Sequence, residues 1–350
     1  MVLVTRCVHT VDAEVLRKFT SRVFAATGAP TDVADTVAEL LVRSNLCGVD
    51  SHGVIRIPSY VDFIDAGRLK PGGRPRVAKE TASTGVVDGG WGFGQPTAIM
   101  AMELAIRKAR KHGVGTVVTH HTNHVGRLAD YTELATKKGM IGLAFAKSGP
   151  DVAPWQGMDR LLGTNPMSFG IPAGEEDPIN ADFATSISSR GKINVMRAKG
   201  MSLPPGWVLD KNGDQSTDPA VLDDGGVVQT FGARGYMLNL VVEALGGALT
   251  GEGVADEFEG INGTFMQAIS VEHFTSLRGF RGNVDNLIRK MRGSKPAKGY
   301  DEVLIPGDPE RRAERSRELN GIEIVDAIWD PIMKVAKRFN VEPPKTRARR

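Results

Sequence analysis

Gly89-Gly90-Trp91-Gly92-Phe93-Gly94 stands between a predicted strand, Thr84–Asp88, and a predicted amphipathic helix, Pro96–His112. A glycine-rich turn in this position suggests a dinucleotide-binding loop. Its spacing, however, is GxGxG instead of GxGxxG, and the following strand, Val114–His120, ends in histidine where a ribose-binding acid is expected. We therefore interpret the stretch as a flexible turn over the start of a helix, which predicts an α/β fold other than the Rossmann fold.

Helical and strand-like segments alternate on both sides of this turn. Apolar residues at helical spacing predict a first helix capped by Asp12 and a second from Thr31 to Leu46. Later predicted helices are Ala129–Lys138, Tyr236–Thr250, Gly282–Arg292 and Asp308–Leu319, and later predicted strands are Ile141–Ala146, Phe169–Pro172, Ile179–Phe183 and Phe265–Ser270. The segment 236–250 is so apolar that we expect it to be buried on most sides. The pattern predicts a mixed α/β core with helices from both ends of the chain.

The composition is that of an ordinary packed globular protein. The 350 residues are 41% hydrophobic and 24% charged, with a formal net charge of +3. Basic residues are dispersed except in the last six, 345–350, which we interpret as a solvated terminus and not as a nucleic-acid contact. Cys7 and Cys47 have neither disulfide nor metal-site spacing, and no stretch has the roughly 18 apolar residues of a membrane span. We expect a cytoplasmic protein without nucleic-acid or membrane partners.

A histidine cluster follows the predicted strand Val114–His120. It consists of His120, His121 and His124, and it lacks the HExxH pattern of zinc hydrolases because position 121 is histidine. We therefore predict no metal site. Loops at strand ends commonly carry functional polar groups, so we expect Asn123 and His124 to face a substrate.

Ser51-His52-Gly53-Val54-Ile55-Arg56 is the most suggestive stretch for chemistry. Histidine titrates near neutrality and can give or take a proton in either direction of a reaction. Arg56 lies four residues after His52, so it can share a helix face with it, and its planar fork suits a carboxylate. A helix cap or a surface pair explains the same spacing, and the spacing alone leaves both interpretations open.

Taken together and in order, these motifs and several others resemble the type 2 malate/L-lactate dehydrogenase family. That family also contains sulfolactate and ureidoglycolate dehydrogenases, diketogulonate reductase and piperideine-2-carboxylate reductase. The matching stretches are Asp50–Arg56, Asn123–Gly126, Leu162–Pro166, Asp182–Ser186, Arg190–Lys192, Asp210–Gly213, Thr217–Pro219, Gly246–Gly251 and Asn320–Ile322. The similarity extends from about residue 11 to about residue 330.

The resemblance implies a mixed, largely antiparallel sheet wrapped by helices, which binds NAD or NADP without a Rossmann fingerprint. It implies a helical domain formed by residues 1–75 and 290–350, carrying His52 and Arg56, and a central NAD(P)-binding α/β domain at 76–289. It further implies a homodimer whose active sites lie near the subunit contact.

The same resemblance assigns roles to single residues. His52 would be the proton donor in reduction, supported by Ser51 and by Asp182, whose carboxylate would raise the pKa of the imidazole. Arg56 would hold the substrate carboxylate, and His124 would face the substrate. The cofactor would be lined by His124, Ser148, Asp182, Phe183, Ala184 and Arg234.

The resemblance implies hydride transfer between a nicotinamide and C2 of a small 2-hydroxy or 2-oxo acid. Alternatives are reduction of a cyclic 2-imino acid and a paralogue that binds a ligand without turnover; a metal-dependent hydrolase is a further alternative. One departure is Ala233-Arg234-Gly235-Tyr236-Met237, since family members usually carry Lys-Gly-Tyr-Gly there. Arginine keeps the positive charge with a different geometry. The sequence leaves the substrate, the choice of NAD or NADP and the physiological direction open.

Overall fold

The computed structural model describes residues 8–257 and 262–349, so Cys7 and Arg350 lie outside the described residues. The helices are α1 Ala13–Ala26, α2 Thr31–Leu46, α3 Ile57–Asp65, α4 Gly94–His112, α5 Ala129–Thr136, α6 Arg190–Ala198, α7 Gly232–Val242, α8 Leu277–Arg292, α9 Asp308–Asn320 and α10 Asp326–Arg338. The strands are β1 Val8–Val11, β2 Arg76–Glu80, β3 Thr84–Asp88, β4 Val114–His120, β5 Met140–Ser148, β6 Met167–Ile171, β7 Ile179–Phe183, β8 Val208–Leu209, β9 Gln215–Ser216, β10 Val227–Val228, β11 Asn262–Ser270, β12 Ile322–Val325 and β13 Arg347–Arg349.

The main sheet has the order β2-β3-β4-β11-β5-β6-β7. β3 and β4 are parallel, and every other neighbouring pair in this sheet is antiparallel. The central strand β11 has buried Met266 and Ala268 in one hydrophobic cluster with Met102 of α4 and Tyr131 of α5, so these helices cover one face. The prediction of a mixed, largely antiparallel sheet wrapped by helices is therefore confirmed.

The glycine-rich stretch after β3 is the turn that the sequence predicts, and the structure gives the reason for its glycines. A Cβ atom added at Gly94 would lie 2.2 Å from the carbonyl oxygen of Asn123, and one at Gly89 would lie 2.7 Å from that of His121. Contacts this short exclude any larger side chain. The glycines allow the loop after β4, which carries His124, to pack directly on the start of α4.

Segments from both ends of the chain form a second core. Buried Phe19, Leu41 and Tyr60 pack in one cluster with Ile322 and Ile332. A small sheet with the order β12-β1-β13 closes this region. Residues 345–350 were expected to be a frayed, solvated terminus, and fraying was wrong for 347–349, because their backbone groups pair with an edge of β1. The predicted domain limits at 75, 76, 289 and 290 stay predictions.

Local rules of helix capping hold, but the expected burial of residues 236–250 does not. Asp12 caps α1, since its Oδ1 accepts hydrogen bonds from the amides of Glu14 and Val15. The apolar segment forms α7 and the turns that follow it, yet Met237 is 65% exposed and Leu249 is 56% exposed. An apolar pattern indicates that a surface needs to be covered, and none of the described residues of the single chain covers this one.

Among the described residues, no helix is both long enough and apolar enough to cross a lipid bilayer. Elements that the sequence did not predict include the short polar helix α6, the edge strand β2 and the three strands β1, β12 and β13 of the small sheet. α6 begins at the capping residue Ser189, whose hydroxyl accepts from the Lys192 amide at 3.1 Å. That helix matters for the site, because it brings Gly191 against Arg56.

Candidate active site

His52 lies in a wall that two neighbouring cavities share. The larger, of about 540 Å³, is also lined by Asp182, Phe183 and Ala184. The smaller, of about 220 Å³, is also lined by Arg56, His124 and Ser148. The structure therefore gathers most of the residues that the sequence predicts for the site around one histidine.

Backbone turns, not a continuous helix, position His52 and Arg56. Asp50–His52 and Val54–Arg56 are short 3₁₀ turns on either side of Gly53. The side chain of Asn45 holds both turns: its Nδ2 donates to Asp50 Oδ1 and its Oδ1 accepts from the Val54 amide, each at 2.8 Å. Arg56 reaches back and donates through Nε to the carbonyl oxygen of Ser51 at 2.7 Å. The shared helix face that the sequence suggests for His52 and Arg56 is therefore replaced by a tighter arrangement.

The protonation of His52 differs from the prediction. Burial, and after it the positive charges of Arg56 and Arg127, lower the pKa of His52 to about 3. Its ring Nδ1 lies 3.0 Å from the Ser51 hydroxyl oxygen. A hydroxyl can donate or accept, so Ser51 can stay bonded to the ring in either protonation state. The free site thus holds a neutral imidazole at pH 7.

Asp182 does not form the expected pair with His52. Its Oδ2 accepts a 2.7 Å hydrogen bond from the amide of Ala129, the first residue of α5, where the helix dipole favours a negative charge. Among the described residues, Ser51 is the hydrogen-bond partner of the His52 ring. Desolvation inside the cleft raises the pKa of Asp182 to about 6, so this carboxyl group titrates close to neutrality.

Arg56 is a cation that lacks an acidic partner. In the part of the chain that the structure describes, no carboxylate oxygen lies within ion-pair distance of its guanidinium. Space for the guanidinium depends on Gly191 of α6, because a Cβ atom at that position would lie 2.8 Å from Arg56 Nη2. A partly buried guanidinium without a counter-ion is well suited to bind a carboxylate ligand.

His124 is held by a buried chain of hydrogen bonds. Gln95 Nε2 donates to the hydroxyl oxygen of Tyr60 at 2.9 Å, and that hydroxyl lies 2.7 Å from His124 Nδ1. Because Tyr60 accepts from Gln95, its own proton is available to His124, which places the imidazole proton on Nε2. The ring of His124 also stacks on that of His52, with centroids 5.5 Å apart.

Sequence reasoning missed Tyr60 and Gln95. One signal was available: Tyr60 follows Arg56 by four residues, the spacing of one helical turn. It also misplaced Asn123, which is buried and does not face a substrate. Nδ2 of Asn123 donates to the carbonyl oxygens of Trp91 and Gly92, both at 2.9 Å, and so ties its loop to the glycine-rich turn.

The residues predicted to line the cofactor separate into three groups. Asp182, Phe183 and Ala184 line the larger cavity, whereas His124 and Ser148 line the smaller one. Arg234 is exposed on α7 and lines neither of these cavities. The larger cavity also contains Lys192, whose ammonium group lies 5.3 Å from the Trp207 ring centre, and a cation there suits a phosphate.

Comparison with known proteins connects this arrangement to one family. The family model described as malate/L-lactate dehydrogenase matches residues 11–333. The chain is 34% identical to a malate dehydrogenase of Pyrococcus abyssi over 341 residues, which cover 93% of this chain and 94% of that protein. It is 35% identical to an L-sulfolactate dehydrogenase of Methanocaldococcus jannaschii over 335 residues, covering 94% of each.

Solved structures agree with the sequence comparison. The malate dehydrogenase of Entamoeba histolytica superimposes with a TM-score of 0.92 at 29% identity, covering 97% of this chain and 100% of that one. The Δ1-piperideine-2-carboxylate reductase of Pseudomonas syringae superimposes with a TM-score of 0.83 at 29% identity, covering 93% and 99%. The chain therefore belongs to the malate/L-lactate dehydrogenase family and is an oxidoreductase of the 2-hydroxy acid type.

Proposed function

We propose that the chain interconverts a small 2-hydroxy acid and its 2-oxo acid with NAD or NADP, and that His52 transfers the proton. The observation that carries this proposal is the position of His52 in the wall shared by the two cavities. The smaller cavity also contains the unpaired guanidinium of Arg56. A proton carrier beside a carboxylate-binding group is what this reaction requires.

Arg56 binds the substrate carboxylate in this proposal. Two parallel N–H donors of a guanidinium can hold both carboxylate oxygens and fix the orientation of C2. The hydrogen bond from Arg56 Nε to the Ser51 carbonyl directs the rest of the group toward the cavity. The bound substrate carboxylate also places a negative charge beside the Arg56 guanidinium, which has no acidic partner in the free site.

His52 acts as the base when the hydroxy acid is oxidised. With its pKa lowered to about 3, the imidazole is neutral and can accept the hydroxyl proton. In reduction, His52 returns this proton to the oxygen on C2. A carboxylate bound on Arg56 favours the imidazolium, because it offsets the positive charge that helps to lower the pKa of the free enzyme.

His124 contributes a directed N–H group. Since Tyr60 donates to Nδ1, the proton on Nε2 can be donated to an oxygen of the substrate. This donor stabilises negative charge that develops on the oxygen at C2 during reduction. Burial and the charges of Arg56 and His52 hold the pKa of His124 well below its usual value, so it acts as a neutral donor.

The larger cavity is the proposed place of the nicotinamide cofactor, which supplies or accepts the hydride at C2. Asp182, Phe183 and Ala184 offer it a mixed polar and apolar wall, and Ser148 lies on the side of the smaller cavity. Lys192 is a further candidate for a contact with cofactor phosphate. Arg234 lines neither cavity and stays a proposed cofactor contact.

We further propose a homodimer formed through α7. Large apolar side chains are exposed on α7 and in the residues next to it, namely Phe231, Met237, Leu238, Leu240, Val241 and Leu249. Exposed apolar side chains grouped along the chain in this way favour a protein–protein contact. We propose that a second copy of the chain covers these side chains. The proposal agrees with the burial that the apolar sequence of residues 236–250 predicts.

A cyclic 2-imino acid is the second candidate substrate. It is favoured by the likeness to the piperideine-2-carboxylate reductase of Pseudomonas syringae. Such an imine has a reducible C2 beside a carboxylate, so Arg56 and His52 would serve it in the same way. A paralogue without turnover is the remaining alternative.

The cytoplasmic location stays a proposal, supported by the free thiol of buried Cys47.

The proposal is tested with a panel of 2-oxo acids, 2-hydroxy acids and cyclic imines, each followed by the absorbance of NADH or NADPH. We expect turnover of at least one compound that carries a carboxylate next to C2. His52→Asn is expected to abolish turnover while cofactor binding, measured by calorimetry, is kept. Full activity of this variant would refute the role of His52, and a panel without any turnover would favour the non-catalytic paralogue.

A further inference from the structure

A cluster of metal-binding side chains lies where β3 and β4 end. Asp88 and His120 are register partners in this parallel pair, and His121 follows directly. Ligand atoms of the three residues all lie within 4.8 Å of one another. The sequence grouped His120 and His121 with His124, but His124 bonds to Tyr60, and Asp88 takes its place in the cluster.

The distances in this cluster are close to those of a metal centre. Nδ1 of His121 lies 3.1 Å from Asp88 Oδ1, and Nε2 of His120 lies 3.9 Å from the same oxygen. Around a tetrahedral ion with bonds of about 2.0–2.1 Å, ligand atoms lie roughly 3.3 Å apart. The two separations bracket this value. The rings of His120 and His121 are stacked with centroids 4.4 Å apart, so one of them has to rotate for both nitrogens to face the same ion.

Among the described residues, two buried polar atoms in and beside the cluster have no hydrogen-bond partner. They are Nε2 of His120 and Oε2 of Glu252. Glu252 comes from the loop after α7, and its other carboxylate oxygen accepts from the backbone amide of His121. A buried polar atom that is left unpaired is unfavourable, and a cation bound to His120 Nε2 would satisfy that nitrogen and attract the nearby carboxylate.

Neighbouring groups orient the cluster and leave it open to solvent. The Gly90 amide and Arg76 bind the Asp88 carboxylate and orient it. The side chains of His120 and His121 are 25% and 43% exposed, which leaves a path for an ion from solvent.

We propose that Asp88, His120 and His121 bind a divalent transition-metal ion of the Zn²⁺ class, with Glu252, which is bonded to the His121 amide, as a nearby negative charge. Two imidazoles and one carboxylate, completed by water, form a donor set that suits Zn²⁺ and Co²⁺. The ion would tie the end of β3 to the start of the loop that carries His124. Its role is to stabilise that loop, and it takes no part in the proton or hydride step.

The test begins with full-length protein stripped of metal by a chelator. Zn²⁺ is then titrated by calorimetry, metal content is measured after dialysis, and Co²⁺ is added to record its visible absorption. We expect one ion per chain, the intense Co²⁺ bands of a low-coordinate site, and a higher melting temperature with Zn²⁺. Failure to bind Zn²⁺ in a saturable way would refute the proposal.

His120→Ala is the most informative variant, because Nε2 of His120 has no hydrogen bond to lose. We expect it to weaken Zn²⁺ binding at least ~100-fold, the upper end of the effect known for groups that only support a metal ligand. Glu252→Gln keeps an acceptor for the His121 amide and should also weaken binding. The melting temperature of each metal-free variant shows that it folds.

Two further variants locate the ion. His273→Ala removes an exposed histidine outside the cluster and is expected to bind Zn²⁺ as tightly as the wild type. His52→Asn tests the other close histidine pair, His52 and His124. Zn²⁺ binding that is lost in His52→Asn but kept in His120→Ala would overturn the proposal. Because binding is read without turnover, the result is independent of the proposed enzymatic activity.

Discussion

The hydroxyl group of Tyr60 lies 2.7 Å from Nδ1 of His124 and joins this imidazole to Gln95 in the buried interior. Tyr60 belongs to α3, close behind the turn that carries His52, whereas His124 follows β4 of the central sheet. The hydrogen bond therefore connects the helical core made by both ends of the chain to the central sheet. Through it, the position and tautomer of His124 depend on the packing of α3.

Tyr60→Phe should impair the site while leaving the fold intact. It removes the donor to His124 Nδ1 and the acceptor for Gln95, and an unsatisfied buried group costs about 1–3 kcal/mol. We expect kcat/KM to fall by about tenfold or more and the melting temperature to drop. Kinetics and thermal unfolding measure the two effects. Tyr300→Phe, which changes an exposed tyrosine, should alter neither, and equal behaviour of the two variants would contradict the assigned role.

The pH dependence should differ between the two directions of the reaction. Because the pKa of His52 is lowered to about 3, the imidazolium is the main form of the free enzyme only below that pH, and above it the protonated fraction falls tenfold per pH unit. Reduction needs this proton, so kcat/KM for the 2-oxo acid should fall about tenfold per pH unit between pH 5 and 9. Oxidation needs the neutral ring, so His52 should cause no loss of kcat/KM in the same range. A plateau for reduction up to pH 6 or 7 would show an imidazole with its ordinary pKa.

Gly191→Ala should affect substrate binding more than stability. The new methyl group would lie 2.8 Å from Arg56 Nη2 and 3.0 Å from Ser51 Cβ, so the guanidinium has to move. We expect KM for the carboxylate substrate to rise about tenfold, the effect of losing ~1.4 kcal/mol of binding. Gly282→Ala on α8 meets no atom within 4 Å and serves as the matched control. An unchanged KM in Gly191→Ala would contradict the role of Arg56.

Met237→Asp should break the proposed dimer. Met237 is central to the exposed apolar face of α7, and a buried carboxylate without a partner opposes association. Light scattering after size exclusion should give the mass of two chains for the wild type and of one for the variant. Leu319→Asp introduces the same charge at an exposed apolar residue outside α7, and this variant should remain dimeric. A monomeric wild type would refute the dimer.

Local rules predicted a large part of the fold. β4 and β7 have the predicted bounds, and Asp12 caps α1, because strand pattern and capping depend on residues that are close in sequence. Burial of α7 was predicted wrongly for the single chain for a different reason. The pattern indicates that a surface needs a cover, but it does not tell which molecule provides it.

Site residues were predicted better than their contacts. His52, Arg56, His124 and Asp182 line the two cavities, yet the expected pair of His52 and Asp182 does not form. The amide of Ala129 binds Asp182 instead, and this contact depends on how α5 begins beside β7. Tyr60 was missed because a phenol on an apolar helix looks like core until its partner, 64 positions later, is located.

The small sheet β12-β1-β13 has a consequence for biosynthesis. Val8–Val11 pairs with residues 322–325 on one edge and with 347–349 on the other, so its hydrogen bonds span most of the chain. A ribosome releases the segments in order, and β1 emerges long before either partner. The helices α1 to α3, and the turn with His52 between them, must therefore wait until residues 322–349 have left the ribosome before their core is sealed. Until then the nascent chain exposes this core to chaperones and proteases.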